Sequence, residues 1–212
     1  MPTFELLYFP IAGLGEVARS ILDYADADWA NKYATNWEQE KPLTPYGKVP
    51  VLYEHLPNGE TFILPESRAI ERYLAIKFGL YGKTAHENAL LDSYISQLDE
   101  VALRLMISIA GKEELRAPFK ALFEQAADHL FTKHSEVLTK NGTGHYLGNQ
   151  TTWADLSLYF LFTKIRDIGF YSDSLKAKAA PIEKLASTLE QDPNVQRYLQ
   201  RLAVRKEKEY KH

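Results

Sequence analysis

The sequence contains no cysteine in its 212 residues. A chain without thiols forms no disulfide bond, no thiolate metal site and no cysteine nucleophile. Any sulfur chemistry of this protein must therefore use a sulfur atom that the substrate brings. The histidines are scattered, and His129 and His134 are spaced so that they fall on different faces of a helix. We therefore expect no metal centre.

A strong excess of one charge and long apolar runs are also missing. The 25 basic and 28 acidic side chains leave a net charge of -3, which gives no electrostatic footprint for nucleic acid or for an anionic membrane. No window approaches the roughly 18 uninterrupted apolar residues that a membrane span needs, and we find no secretory signal pattern. We expect a cytoplasmic protein that binds small molecules, with no nucleic acid and no membrane as partner.

The first 80 residues alternate strand and helix signals. Apolar and aromatic runs bounded by proline or glycine predict strands, and apolar residues at helical spacing predict helices. The pair Asn58-Gly59 between two strand-like runs is typical of a tight hairpin. The order β-α-β-(α)-β-β-α follows, with elements over residues 4–9, 14–25, 31–35, 48–53, 61–64 and 66–79.

The remainder of the chain shows helical periodicity without strand alternation. Thr152 and Asp155 match a capping box, in which two side chains close the start of a helix. We interpret the charged end, residues 205–212, as a frayed helix terminus. The sequence thus predicts an α+β fold with a boundary after residue 80 and an all-α domain over residues 86–212, with helices over residues 84–110, 113–139, 152–168, 181–191 and 194–208.

Four segments, taken together and in order, resemble a known family. They are Tyr8-Phe9 before a glycine-containing loop, Lys48-Val49-Pro50, Glu66-Ser67 with Ala69-Ile70 and Arg72-Tyr73-Leu74, and Gly148-Asn149 with Thr152-Trp153-Ala154-Asp155. On these segments the chain is similar to the cytosolic glutathione transferases (glutathione S-transferases), nearest to tyrosine-type members such as the sigma class. The resemblance covers essentially the whole chain and implies a thioredoxin-like glutathione-binding domain over residues 1–80, followed by a helical domain with an electrophile pocket.

The resemblance implies an enzyme that uses glutathione as co-substrate and needs no metal. Tyr8 would be the catalytic residue, because a phenol that donates a hydrogen bond to sulfur favours the thiolate over the thiol. The alternative interpretation of Lys41 and Lys48 is that they belong to a solvated surface. The alternative interpretation of Ser67 is that it is part of an ordinary helix cap. The implied glutathione contacts are Tyr8, Trp37, Lys41, Lys48, Val49 beside a cis Pro50, Glu66, Ser67 and Asp99.

A homodimer is also implied. Asp99 would extend towards the γ-glutamyl ammonium in the neighbouring subunit, and Tyr46 would fill an apolar slot on it. A carboxylate on a helix surface is the alternative interpretation of Asp99. Two positions depart from the family pattern: Leu14 stands where several sigma-like relatives carry arginine, and Glu66 where most tyrosine-type relatives carry glutamine.

The second substrate would be an apolar electrophile, bound near one cation. Interhelical core is the alternative interpretation for most residues of this pocket. A glutathione-dependent isomerase or peroxidase would share the glutathione site, and a non-catalytic relative with a structural or ligand-sequestering role would share the fold. The implied pocket residues are Ile11, Leu14, Val101, Arg104, Leu105, Ser108 and Phe160.

A different motif lies at the start of the first predicted helix. The run Gly13-Leu14-Gly15-Glu16-Val17-Ala18 matches the dinucleotide fingerprint Gly-x-Gly-x-x-Ala. No acidic residue ends the second strand, and no second βαβ half follows the hairpin. We therefore reject a nicotinamide dehydrogenase.

Overall fold

The protein is described by a computed structural model over residues 3–210. This part of the chain forms two compact units. One contains the described residues of Met1–Leu80 and Glu190–His212, and the other is Tyr81–Leu189. The last helix therefore belongs to the first unit, and the sequence-based division into domains 1–80 and 86–212 stays a prediction.

The first unit is built on a four-stranded sheet in the order β2-β1-β3-β4. The central strand β1 is parallel to β2 and antiparallel to β3, and β3 and β4 form an antiparallel hairpin. Gly59 takes a φ of 86° in the hairpin turn, a conformation that the Asn-Gly pair predicts. The strands are β1 (Thr3–Tyr8), β2 (Trp29–Tyr33), β3 (Val51–His55) and β4 (Thr61–Pro65).

The described residues also form helices in both units, and the predicted order β-α-β-α-β-β-α of the first part is confirmed. The α1, α2, α3 and α9 helices lie in the first unit, with 3₁₀ turns at Gly13–Gly15 and Lys41–Leu43. None of these helices is long and apolar enough to cross a membrane, within residues 3–210. The helices are α1 (Glu16–Tyr24), α2 (Trp37–Glu40), α3 (Ser67–Lys77), α4 (Ala85–Ala110), α5 (Glu113–Asn141), α6 (Trp153–Asp167), α7 (Asp173–Lys176), α8 (Ala180–Gln191) and α9 (Pro193–Lys208).

The second unit is helical throughout its regular structure, as predicted. Its core helix α6 is buried along most of its length and begins with the predicted capping box. The Thr152 hydroxyl accepts from the Asp155 amide, and the Asp155 carboxylate accepts from the Thr152 amide at 2.7 Å. The short helix α7 was not predicted, because four residues are too few to show a helical period.

The end of the chain corrects the sequence-based interpretation. Residues 205–210 are not a frayed terminus: Arg205 is only 4% exposed and forms ion pairs with Asp23 at 2.8 Å and Glu16 at 3.3 Å. These carboxylates lie on α1, far away in sequence, so local patterns do not reveal them. Residues 211–212, the rest of the predicted frayed end, lie outside the described residues.

Candidate functional site

The register of the sheet gathers the predicted glutathione residues of the first unit at one end. Leu7 of β1 pairs with Val51 of β3, which pairs with Pro65 of β4. Each of these three residues is adjacent in sequence to a predicted site residue. Tyr8, Pro50 and Glu66 therefore emerge side by side from neighbouring strands.

Tyr8 is the best-defined group at this end of the sheet. Its side chain is buried, and its hydroxyl oxygen accepts a hydrogen bond from the Leu14 amide over 3.0 Å. The hydroxyl proton has no acceptor among residues 3–210. Burial raises the pKa of Tyr8 above its ordinary value, while the Leu14 amide and the charge of Arg19 act in the opposite direction. The phenol is therefore protonated at neutral pH and able to donate.

Two glycines of the loop after β1 are needed for this arrangement. A Cβ atom on Gly13 would lie 2.6 Å from the Tyr8 hydroxyl, and one on Gly15 would lie 2.8 Å from the Tyr8 ring. Gly13 also has a φ of 49°, which other residues rarely adopt. The glycines that resemble a dinucleotide fingerprint thus make room for the tyrosine side chain.

Sequence reasoning missed Arg19. Its guanidinium lies 5.5 Å from the centre of the Tyr8 ring and is fully buried. A cation therefore contacts the tyrosine even though Leu14 stands where an arginine was expected. A usable signal was its position on α1 beside the apolar residues Ala18 and Leu22, because an arginine on a buried helix face needs partners.

The groups predicted to hold the glycyl carboxylate come from the segment after β2. Trp37 begins α2, and its ring packs on Phe9 at 5.5 Å between centroids and on a core cluster that consists of Leu7, Ala34 and Val51. Trp37 thus has a packing role that its polar sequence neighbours did not suggest. Lys41 and Lys48 are exposed. The indole N–H and the two ammonium groups donate to no protein atom within the described residues.

The groups predicted to bind the peptide backbone and the γ-glutamyl end of glutathione flank the β3–β4 hairpin. The peptide bond between Val49 and Pro50 is cis. Glu66 has a φ of 73°, a strained conformation for a residue other than glycine, which costs about 1 to 3 kcal/mol. Ser67 then opens α3, whose first amides receive no side-chain cap. The amides at such a helix start attract a carboxylate.

The residues predicted for the electrophile and for the dimer belong to both units. In the first unit Ile11 and Leu14 are 42% and 46% exposed. In the second unit three of the residues predicted for the electrophile pocket are buried and two are half-buried. Asp99, predicted for the dimer, is also half-buried. The cation Arg104 pairs with Glu100 at 2.6 Å beside a groove of about 290 Å³ between α4 and α5. The buried residues are Val101, Leu105 and Ser108, and the half-buried ones are Arg104 and Phe160.

Two histidines of the second unit lie near this groove: His129 lines it, and His134 contacts Gln97, which also lines it. His134 is buried, with one ring nitrogen against the Tyr146 hydroxyl and the other 3.1 Å from the side-chain oxygen of Gln97. Burial, aided by the charge of His129, lowers the pKa of His134 to about 4. Within residues 3–210 no group of three His, Cys, Asp or Glu side chains is arranged to hold a metal ion.

Comparison with known proteins gives consistent matches. Residues 104–201 match the family description "Glutathione S-transferase, C-terminal domain". The chain is 36% identical to glutathione S-transferase 1 of Ascaris suum over 163 residues, which cover 74% of this chain and 77% of the relative. It is 31% identical to hematopoietic prostaglandin D synthase of Rattus norvegicus over 157 residues, or 73% and 75% of the two chains. The structure matches the sigma class GST of Fasciola hepatica with a TM-score of 0.82 at 25% identity, covering 94% and 96% of the two chains.

Proposed function

The chain belongs to the glutathione S-transferase family and is a glutathione transferase, and from this premise we propose that Tyr8 holds the sulfur of bound glutathione as a thiolate for attack on an apolar electrophile. The observation that carries the proposal is the hydrogen bond from the Leu14 amide to the Tyr8 oxygen. That bond uses an acceptor position of the oxygen, and the proton has no acceptor within residues 3–210. The proton is thus available to a sulfur atom of the substrate.

The chemistry requires a donor that keeps its own proton. The raised pKa of Tyr8 meets this requirement, because the phenol stabilises the thiolate without being deprotonated. Lowering the pKa of the glutathione thiol from about 8.5 to about 6.5 raises the thiolate fraction at pH 7 from about 3% to about 75%, a difference of roughly 2.7 kcal/mol. One well-aimed hydrogen bond to a charged sulfur, in a buried site, is of that size.

We propose that the rest of the tripeptide lies along the same end of the sheet. The backbone of Val49 beside Pro50 bonds the cysteinyl amide, Ser67 and the start of α3 bind the γ-glutamyl carboxylate, and Glu66 faces the γ-glutamyl ammonium. The uncapped amides of α3 and the strained backbone of Glu66 support this assignment. The three donors assigned to the glycyl carboxylate, each without a protein acceptor in the described part of the chain, are the side chains of Trp37, Lys41 and Lys48.

The electrophile is proposed to be apolar, with Ile11 and Leu14 as its contacts in the first unit. Their side chains are exposed on the loop whose Leu14 amide bonds the Tyr8 hydroxyl. The contacts proposed in the second unit are Val101, Arg104, Leu105, Ser108 and Phe160. A glutathione-dependent isomerase is a second candidate, favoured by the 31% identity to the prostaglandin D synthase of Rattus norvegicus. A panel with an aryl halide, a hydroperoxide and a prostaglandin endoperoxide distinguishes conjugating, peroxidase and isomerase activity.

We further propose that the enzyme acts as a homodimer in which Asp99 reaches the glutathione of the other subunit. The 64% exposure of Tyr46 supports a covered position for this ring in the assembly. Sedimentation at micromolar concentration tests the proposal. A fully active monomer would exclude these roles for Asp99 and Tyr46.

The test of the thiolate mechanism is Tyr8→Phe, which keeps the ring and removes the hydrogen bond. We expect turnover to fall by roughly ten- to a hundredfold at neutral pH, for a loss of about 1.5 to 3 kcal/mol, with glutathione affinity little changed. The deficit should shrink as the pH approaches about 8.5, where the free thiol ionises unaided. The control is Tyr53→Phe, which removes a hydroxyl from β3 of the same sheet. Unchanged ultraviolet thiolate absorbance and an unchanged pH profile in Tyr8→Phe would remove Tyr8 from the mechanism.

A further inference from the structure

The guanidinium of Arg19 is completely buried beneath the loop that follows β1. A buried cation is costly unless its donors are paired, and each of the three nitrogens of this guanidinium donates at least one hydrogen bond. Three of the partners are polar side chains, of which Tyr210 is described below: Nε donates to the Asn31 side-chain oxygen over 2.8 Å, and Nη1 donates to the Glu16 carboxylate over 3.1 Å. These partners fix the position of the guanidinium.

The remaining donors of Arg19 hold the loop itself. Nη1 donates to the Ile11 carbonyl over 2.7 Å and more weakly to that of Ala12 over 3.4 Å, and Nη2 donates to the Phe9 carbonyl over 3.2 Å. The same loop then returns to Tyr8 through the amide of Leu14. Arg19 thus fixes the outgoing half of the loop whose other half orients the Tyr8 hydroxyl.

A residue that follows α9 also bonds Arg19. The Tyr210 hydroxyl accepts from Arg19 Nη1 over 3.0 Å and donates to Glu16, and the Tyr210 ring lies 5.3 Å from the guanidinium. The neighbouring Glu209 carboxylate accepts from the hydroxyl of Tyr33 on β2. We name residues Glu209 and Tyr210 the C-terminal strap. The strap thus connects the sheet, through Tyr33, to the side chains of Glu16 and Arg19 on α1.

We propose that Arg19 is a positioning residue for Tyr8 and that the C-terminal strap supports glutathione activation through Arg19. The inference rests on the proposed role of Tyr8 as the hydrogen-bond donor to the thiolate. Hydrogen bonds join the strap to the guanidinium and the guanidinium to the loop carbonyls, and the backbone of the loop continues from there to the Leu14 amide, which bonds the Tyr8 hydroxyl. A substitution in the strap therefore makes the orientation of the Tyr8 hydroxyl less well defined, although it changes no residue proposed to contact the substrate.

The key variant is Tyr210→Phe in the full chain. It keeps the ring against the guanidinium and removes only the hydroxyl that accepts from Arg19 and donates to Glu16. Arg19→Lys is the stronger variant, because an ammonium cannot reproduce the planar fork of donors. The matched control is Arg201→Lys. Arg201 pairs with Asp23 at 3.1 Å and Asp26 at 3.0 Å in the same contact between α1 and α9, and it does not bond Arg19 or the loop.

The measurement is the pKa of bound glutathione, read from ultraviolet thiolate absorbance, together with kcat and KM. We expect Tyr210→Phe to raise this thiol pKa by about 0.5 and to lower kcat at pH 6.5 by about threefold, with KM for glutathione little changed. Arg19→Lys should lower kcat about tenfold. Arg201→Lys should lower the melting temperature and leave the thiol pKa as in wild type.

Combination with Tyr8→Phe separates this inference from the proposed function. If Arg19 acts through Tyr8, the double variant Tyr8→Phe/Tyr210→Phe should match Tyr8→Phe alone. Additive losses would overturn the inference, as would a wild-type thiol pKa in Tyr210→Phe with an altered one in Tyr8→Phe. An unchanged thiol pKa in Tyr8→Phe itself would overturn the proposed function. If Arg19→Lys does not fold, Tyr210→Phe decides alone.

Discussion

The backbone amide of Leu14 donates to the Tyr8 hydroxyl oxygen over 3.0 Å, while the Leu14 side chain is 46% exposed. The contact that orients the phenol is thus made by the main chain. It depends on the path of the loop and not on the side chain at position 14, so this position can differ from the arginine of relatives without losing the contact. The glycines that set the path are less replaceable.

Gly13→Ala should disturb Tyr8 directly, because the added Cβ would lie 2.6 Å from the hydroxyl. We expect kcat/KM to fall by at least about tenfold at neutral pH as the hydrogen bond to sulfur weakens. Gly59→Ala is the matched control: Gly59 also has a positive φ, 86°, but no atom lies within 4 Å of its added Cβ. Equal activity losses in the two variants would show that backbone strain, and not contact with Tyr8, is responsible.

Trp37→Phe keeps an aromatic ring on the core cluster and removes the indole N–H proposed to bind the glycyl carboxylate. We expect KM for glutathione to rise about five- to tenfold with kcat nearly unchanged, a loss of about 1 to 1.4 kcal/mol that is typical of one hydrogen bond. Trp29→Phe is the control, since its indole donates to Asp23 over 3.0 Å and not to the site. That variant should lose stability and keep its KM. Steady-state kinetics at saturating electrophile measure both.

The two capping boxes should differ in their contribution to stability. Thr152 is buried and also donates to the Asp155 carboxylate over 2.6 Å, whereas the equivalent Thr84 is exposed at the start of α4. We expect Thr152→Ala to lower the free energy of unfolding by about 2 to 3 kcal/mol, and Thr84→Ala by about 1 kcal/mol or less. Urea unfolding measures the difference. A similar loss in both variants would contradict the role that we assign to burial.

The depressed pKa of His134 predicts a loss of stability in mild acid. The unfolded chain protonates this histidine near pH 6.5, but the folded chain does so only at about pH 4. The unfolded state therefore binds more protons between these values, and the free energy of unfolding falls as the pH is lowered, by up to about 1.4 kcal/mol per pH unit. His134→Gln should flatten this dependence. His86→Gln, at an exposed position, should leave it unchanged, and parallel slopes for wild type and His134→Gln would refute the prediction.

Local patterns predicted the elements of this fold well. The hairpin at Asn58-Gly59 and the capping box of Thr152 and Asp155 depend on residues a few positions apart, so spacing reveals them. The β-α-β-α-β-β-α order follows from runs of the same kind. The helix α7 escaped prediction because a single turn has no period to detect.

Long-range contacts could not be predicted in this way. Arg19 and Tyr210 are 191 positions apart, and nothing in the sequence around either residue specifies the other. The packing of Trp37 was missed for a related reason, since the cluster that it packs against takes Leu7 and Val51 from two different strands. Support for the candidate site therefore had to be found in three dimensions, while its proposed chemical groups were visible in the sequence.

The position of α9 in the first unit affects how the protein is made. A ribosome produces Glu16 and Asp23 about 180 residues before their partner Arg205. Glu16 can pair earlier with Arg19, but the cations that pair with Asp23, Arg201 and Arg205, both lie on α9. Until α9 is made, the Asp23 carboxylate has to stay hydrated, because burial without a cation is costly. The first unit, which contains Tyr8, can thus be completed only after α9 has been synthesised, whereas α4, α5 and α6 of the second unit precede α9 in the chain.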